Sequence, residues 1–337
     1  MKVFIIGGTG LIGSEGAEEL INRGHSVSAL ALPPLPEGAV FPPEMDIEFG
    51  SYMELSDDEM CRKMEGFDVF MFAAGIDERV GGPAPVYEMF RKYNITPLER
   101  LLDAAKKSGV RQAVVCGSYF SYFSRVWPQY RLYDFHPYIR SRVDQENMVL
   151  SSADENFHTA VLQLPYIFEV QPGRKPVWVF LAEQIRGMKK ATLYPSGGTA
   201  MITAKQAGQC IAGAAENNTG GTAYPAGWYN MTWHELLGIV HRYMGTPDKK
   251  IRTLPKWLYK LGMRSIEKKQ RAAGIEGGLD MVRFADIMYS KTFIEKDIIE
   301  TKLGVGPDDI EAAVGASILL SLEILEKKTE VIDMKGE

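Results

Sequence analysis

Cysteine, histidine and long apolar runs are all scarce in this chain. Only three cysteines, Cys61, Cys116 and Cys210, occur in 337 residues, with no paired spacing. That excludes a disulfide framework and a cysteine zinc site, and it suits a reducing compartment. The five histidines do not cluster, and His234 and His241 read as surface or core positions on a helix, so no metal site is expected. No stretch approaches the roughly 18 uninterrupted apolar residues of a membrane-spanning helix, and the N-terminus does not read as a secretory leader. An excess of either charge is also missing. The 38 Lys and Arg against 43 Asp and Glu leave a net −5, so neither nucleic acid nor a membrane surface is expected as a partner. The expected location is cytoplasmic. With 45% hydrophobic residues, the chain is long enough for one large domain or two smaller ones.

Glycine, by contrast, is concentrated at the start. The apolar run Val3 to Ile6 breaks into Gly7, Gly8, Gly10 and Gly13, and residues from Leu11 to Asn22 read as a helix. Strand, glycine turn and helix in this order form a dinucleotide-binding pattern. Gly7 permits the tight turn, Gly10 lets backbone approach a pyrophosphate, and Gly13 lets helix pack on strand. The phosphates would sit on unpaired N–H groups at the helix N-terminus.

Strands then alternate with helices: strand 25–32, a Pro-rich loop 33–43, strand 47–49, helix 57–64, strand 68–72, a long helix 85–108, strand 113–116, helix 138–151 and strand 159–164. This rhythm predicts a doubly wound parallel sheet, a Rossmann α/β fold, with a smaller, mainly helical C-terminal lobe. Residues 166–198 are rich in Pro, Gly and aromatics, and 199–217 read as one more strand and helix returning to the sheet. From Trp228 onward the chain reads as mainly helical, interrupted by a basic segment, 256–271. The expected division is a dinucleotide-binding unit, 1–165 plus about 199–227, a substrate lobe, 166–198 plus 228–328, and a frayed tail, 329–337.

Further motifs accompany the glycine turn: Phe72-Ala73-Ala74-Gly75, Asn94, Val114-Val115-Cys116-Gly117-Ser118, Pro137-Tyr138-Ile139-Arg140-Ser141-Arg142, Leu162-Gln163-Leu164-Pro165-Tyr166 and Tyr229-Asn230-Met231-Thr232-Trp233. With these the chain resembles the extended short-chain dehydrogenase/reductase family of the NAD-dependent epimerase/dehydratase type, over 1–170 and more loosely to about 260. The resemblance implies Tyr138 as general acid/base and Ser118 as the group that polarises the substrate oxygen. Arg142 stands where the family has lysine. A phenol with a pKa near ~10 is a poor base until a nearby cation favours the phenolate. Arg142 offers that charge one helical turn from Tyr138, though in a bulkier planar form.

The resemblance further implies NAD or NADP as cofactor, held by Gly7, Gly10, Leu11, Ile12, Gly13, Ala73, Ala74 and Asn94 together with Tyr138 and Arg142. It also implies a small-molecule substrate and a homodimer through the helices 85–108 and 138–151, with Met89, Leu98, Leu101, Leu102, Met148 and Val149 at the contact. The strand end Ala29-Leu30-Ala31-Leu32-Pro33 offers neither the acid that would hold an adenosine ribose nor an Arg for a 2′-phosphate, which leaves NAD and NADP both open.

Each candidate also has a plainer reading. Tyr138 has as its second reading an aromatic packing at a helix start, Ser118 a strand-end hydroxyl serving a backbone group, and Arg142 a surface charge. The aromatics between Ser118 and Tyr138 read as a packed loop or as an apolar substrate wall. Two functions follow: an NAD(P)-dependent oxidoreductase or epimerase on a small carbonyl or alcohol, a nucleotide sugar among the candidates, or a non-catalytic nucleotide-binding regulator that kept the fold.

Overall fold

In the first half of the chain, alternate residues of each short apolar run enter two different cores. The computed structural model describes residues 1–329, 331 and 332. In β1 (Lys2–Ile6), Val3 and Ile5 pack on one side of a sheet while Phe4 and Ile6 pack on the other. With β2 (Ser26–Ala31), β3 (Asp46–Phe49), β4 (Val69–Phe72), β6 (Gln112–Cys116), β7 (His158–Gln163) and β11 (Gly221–Pro225) it builds a seven-stranded parallel sheet, ordered β11-β7-β6-β4-β1-β2-β3. A strand covered on both faces has no polar side, which is why Val69–Phe72 is an unbroken apolar run. Fully burying a side chain such as Phe70 or Phe72 contributes about 1.5–3 kcal/mol. The order reverses between β1 and β4, and a doubly wound sheet opens its ligand crevice at such a point.

The helix Leu11–Asn22 and the helix Ala204–Asn217 cover one face. The helices Asp57–Met64, Thr96–Lys107 and Pro137–Ser151 cover the other. Asp57–Met64 starts where its sequence signals it should, in a reciprocal Ser56–Glu59 capping box.

Several expectations are corrected. The helix expected over 85–108 is broken into Tyr87–Phe90, a wide π-turn Arg91–Ile95 and Thr96–Lys107. Pro97 has no N–H to donate back to the preceding turn, so the regular ladder cannot run through it. The strand expected to return to the main sheet, β10 (Gly198–Thr203), lies instead in a second sheet with β8 (Tyr166–Phe168), β12 (Tyr229–Thr232) and β15 (Lys291–Thr292). The seventh strand of the main sheet is β11, which follows the helix 204–217. The basic segment does not interrupt the helical run. It is itself a helix, Lys256–Ala272, with no buried residue. It leads to β14 (Ile275–Gly277), which pairs with β5 (Gly81–Pro83), while β9 (Thr192–Tyr194) pairs with β13 (Ile251–Thr253). Of the tail, residue 330 and residues 333–337 lie outside the described residues, and Ile332 bridges the backbone at Arg174. The aromatic segment after Ser118 is a helix, Tyr119–Val126, not a loop, and Tyr119, Phe120 and Phe123 are buried in a third core, away from the two faces of the main sheet.

A half-buried carboxyl, Glu15, lies on the helix 11–22. Burial, then Glu18, Glu169 and Asp308, push its pKa up to about 7, with Lys205 opposing. A carboxyl raised in the folded state costs no stability below its unfolded value. The cost grows as pH climbs from about 4.5 to about 7 and then levels. Glu15→Gln should therefore raise the melting temperature at pH 8 and leave it nearly unchanged at pH 4. An equal shift at both pH values in a thermal melt would contradict this.

Candidate active site

At the C-terminal end of β1 the chain turns through Gly7 at φ +87°, a conformation that disfavours a side chain, and a Cβ there would come within 2.6 Å of the Ala73 carbonyl. A Cβ at Gly13 would come within 2.1 Å of the Gly7 carbonyl, so the helix packs on the turn as the motif requires. Gly10 differs. Its Cβ would meet only the Gly7 carbonyl at 3.4 Å, so this side of the turn is open. Gly10 is also the N-cap, with no side-chain cap, and the first helical bond runs from Ser14 N to Gly10 O at 2.8 Å. The N–H groups of Leu11, Ile12 and Gly13 are thus left outside the helical ladder, as donors for an anion. The residues present fit a dinucleotide pyrophosphate.

Beyond β4, Ala73 N donates to the Ile6 carbonyl at 2.9 Å, which holds Ala73 and Ala74 beside the turn. Asn94, fully buried in the π-turn, accepts from Ile76 N at 2.8 Å and donates to the Ile76 carbonyl at 3.0 Å. Its amide is therefore committed to shaping the loop after β4. Arg142 joins the same ring. Its Nη1 donates to Gln145 Oε1 at 2.9 Å and its Nη2 to the Ile76 carbonyl at 3.4 Å, while Gln145 Nε2 donates to the Asn94 carbonyl at 2.5 Å.

Tyr138 is 5% exposed, on the first turn of the helix Pro137–Ser151. Its hydroxyl accepts from Arg142 Nε at 3.3 Å, and Ser118 lies near enough to favour the phenolate slightly. Burial pushes the phenol pKa up, against the opposing pull of Arg142, and the charge of Glu78 pushes in the same direction as burial. The cation thus fails to make Tyr138 a better base than a free phenol. Ser118, 6% exposed, caps the helix Tyr119–Val126, accepting from Phe120 N at 3.3 Å. It combines a structural bond with a place beside Tyr138. Glu146, 1% exposed, pairs with Arg125 and accepts from Ser121 Oγ and from Gln163 Nε2. That buried network locks the Ser118 helix onto the Tyr138 helix. The third core closes over them: Tyr138 N donates to the Gly278 carbonyl at 2.9 Å, and Asp280 N to His136 Nδ1 at 3.1 Å.

Three residues here were invisible to motif reading. Gln145 and Ile76 act through a loop-to-helix contact, and the charge of Glu78, whose own pKa burial and then Asp77 raise, acts on Tyr119, Tyr138 and Tyr166. The only signal for Gln145 was its position on the Tyr138 face of the helix. Of the expected dimer-contact residues, Leu98, Leu101, Leu102 and Val149 are in the core of the protomer, because their helix faces pack on the sheet.

Solved structures share this fold at low identity. The structure of gox2253 covers 98% of this chain and 99% of its own at 20% identity, TM-score 0.73. The Bordetella bronchiseptica enzyme WbmH in complex with NAD+ covers 94% and 97% at 17% identity, TM-score 0.66. UDP-N-acetylglucosamine 4-epimerase from Bacillus cereus covers 95% and 98% at 13% identity, TM-score 0.64. A curated relative, 3 beta-hydroxysteroid dehydrogenase/Delta 5→4-isomerase of Mycobacterium tuberculosis, is 28% identical over 124 residues, 35% of this chain. The chain spans only 31% of that relative's length. The family model for the NAD dependent epimerase/dehydratase family matches residues 3–192, more than half of the chain. With the glycine turn and its sheet, this match establishes that the chain belongs to the NAD dependent epimerase/dehydratase family.

Proposed function

We propose that the protein is an NAD(P)-dependent oxidoreductase or epimerase acting on a small carbonyl or alcohol, with a nucleotide sugar among the candidate substrates. One observation carries the reading: a buried Tyr138 hydroxyl bonded to Arg142 and close to Ser118, linked through Ile76 to the loop beside an uncapped glycine turn. The complex of WbmH with NAD+ and the epimerase from Bacillus cereus support the cofactor and the sugar class, and the hydroxysteroid dehydrogenase relative supports a dehydrogenase.

In this reading Gly7, Gly10 and Gly13, with the N–H groups of Leu11 and Ile12, hold the pyrophosphate. Ala73 and Ala74 line the next part of the crevice, and Asn94 holds that loop in place. When bound, the cofactor supplies hydride exchange at the reacting carbon. Ser118 donates to the reacting oxygen. Tyr138, kept protonated by burial, gives its proton to that oxygen in reduction and, as the phenolate so formed, takes it back in oxidation. Arg142 presents its guanidinium to the nicotinamide ribose. The substrate would lie between the sheet unit and the lobe formed by 166–198 and 228–328.

The test is titration with NAD and with NADP, followed by a screen of carbonyls, alcohols and nucleotide sugars read by nicotinamide absorbance. The regulator reading draws on Arg142 itself, and it expects nucleotide binding without turnover across that screen. Arg142→Ala should weaken both turnover and nucleotide affinity. Arg142→Lys should retain or raise turnover if the arginine fills the lysine's role imperfectly. Equal loss in both variants would remove Arg142 from that role.

For assembly, we propose a homodimer through the outer faces of 87–107 and 137–151. The contact falls to the half-buried Met89 and Met148 and to charged neighbours such as Arg91 and Glu99. A monomer mass by light scattering at micromolar concentration would reject it.

A further inference from the structure

We propose that Arg174, reaching across from the segment after β8, holds the adenosine end of the cofactor and selects the 2′-phosphorylated dinucleotide, NADP. This rests on the reading that the Gly7–Gly13 turn holds a dinucleotide. In such a fold the adenosine ribose lies between the glycine turn and the end of the second strand, where an acid selects NAD and an arginine selects NADP. The end of β2, Ala29-Leu30-Ala31-Leu32, carries neither.

Arg174 enters that gap from the other side. Its Nε donates to the Thr9 carbonyl, in the glycine turn, at 3.1 Å. Gln171 Nε2 donates to the same carbonyl at 3.1 Å and to Ser14 Oγ at 3.2 Å. Between them, Gly173 is pressed on the chain leaving β2: a Cβ there would come within 2.3 Å of the Glu37 carbonyl and 2.6 Å of Glu37 N. The 171–174 loop therefore touches both the glycine turn and the segment after β2.

Two features of this bracket are unspent. Arg174 is half-buried, burial disfavours its charge, and among the described residues no carboxylate pairs with it. A cation held out of water without an anion is unfavourable until one arrives, and a phosphate accepts its fork through two parallel bonds. Gln171 is 8% exposed, and its Oε1 has no hydrogen-bond partner among the described residues, an acceptor suited to a ribose hydroxyl. A guanidinium and an orphaned acceptor on one loop match a phosphorylated ribose better than a plain diol.

Equilibrium binding followed by tryptophan fluorescence or calorimetry tests this without turnover. The unmodified protein should bind NADP at least ~10-fold more tightly than NAD, and 2′,5′-ADP more tightly than 5′-AMP. Arg174→Ala should lose ~10–100-fold for NADP and 2′,5′-ADP while changing NAD little, because a charge-assisted bond is removed only where the extra phosphate exists. Arg174→Lys should keep part of the preference, and thermal melts of both variants check folding. Tighter binding of NAD by the unmodified protein, or equal loss for NAD and NADP in Arg174→Ala, would overturn the proposal while leaving the dinucleotide site standing. Absence of binding to either dinucleotide would overturn both readings.

Discussion

Tyr138→Phe should lower turnover by about 10²–10⁴-fold, the usual cost of removing a general acid/base, while nucleotide affinity stays nearly constant. The separation follows from the geometry. The phenyl ring packs on Phe90 at a centroid distance of 5.6 Å and on Phe120 at 6.5 Å, contacts that phenylalanine preserves. Only the hydroxyl is lost, with its bond to Arg142. The fold and the glycine turn should persist, so a melt and a nucleotide titration should match the unmodified protein. Because the same hydroxyl gives the proton in reduction and takes it back in oxidation, and the overall equilibrium is fixed, kcat/KM should fall by the same factor in both directions. Turnover that survived unchanged would sink the mechanism even if the protein proved to be an enzyme.

Gly10→Val should abolish measurable nucleotide binding and leave the melting temperature within a few degrees of the parent. Gly10 sits at φ −82° and ψ 164°, extended backbone open to any residue, and its Cβ would meet only the Gly7 carbonyl at 3.4 Å. The valine methyls would then stand over the uncapped N–H groups of the helix 11–22, where a pyrophosphate must lie. Gly13→Val is the contrasting variant. Its Cβ would meet the Gly7 carbonyl at 2.1 Å, so it should damage the fold itself. Full binding in Gly10→Val would place the nucleotide site elsewhere.

Local patterns in the chain were enough for six of the seven strands of the sheet and for the order of the candidate site residues. Val3–Ile6 and Val69–Phe72 are unbroken apolar runs because strands covered on both faces leave no polar periodicity, and that alone argues for a parallel sheet. The glycine spacing was legible because Gly13 packs on Gly7, six residues back, and Gly7 takes a positive φ, although the close approach of Gly7 to Ala73 is long-range. Tyr138 and Arg142, one helical turn apart, were likewise a local relation.

Other features depended on contacts between residues far apart in sequence. Strand β10 has the composition of any buried strand, and only its partners β8, β12 and β15 assign it to a second sheet. Whether Asn94 reaches a ligand or shapes a loop depends on Ile76, which the π-turn brings within hydrogen-bond range. The basicity of Tyr138 was the sharpest divergence. Sequence supplies the cation four residues on, but not the apolar enclosure formed by Phe90 and Phe120, and burial outweighs that cation. Desolvation is a sum over everything that displaces water from a group, so only the tertiary structure could decide it.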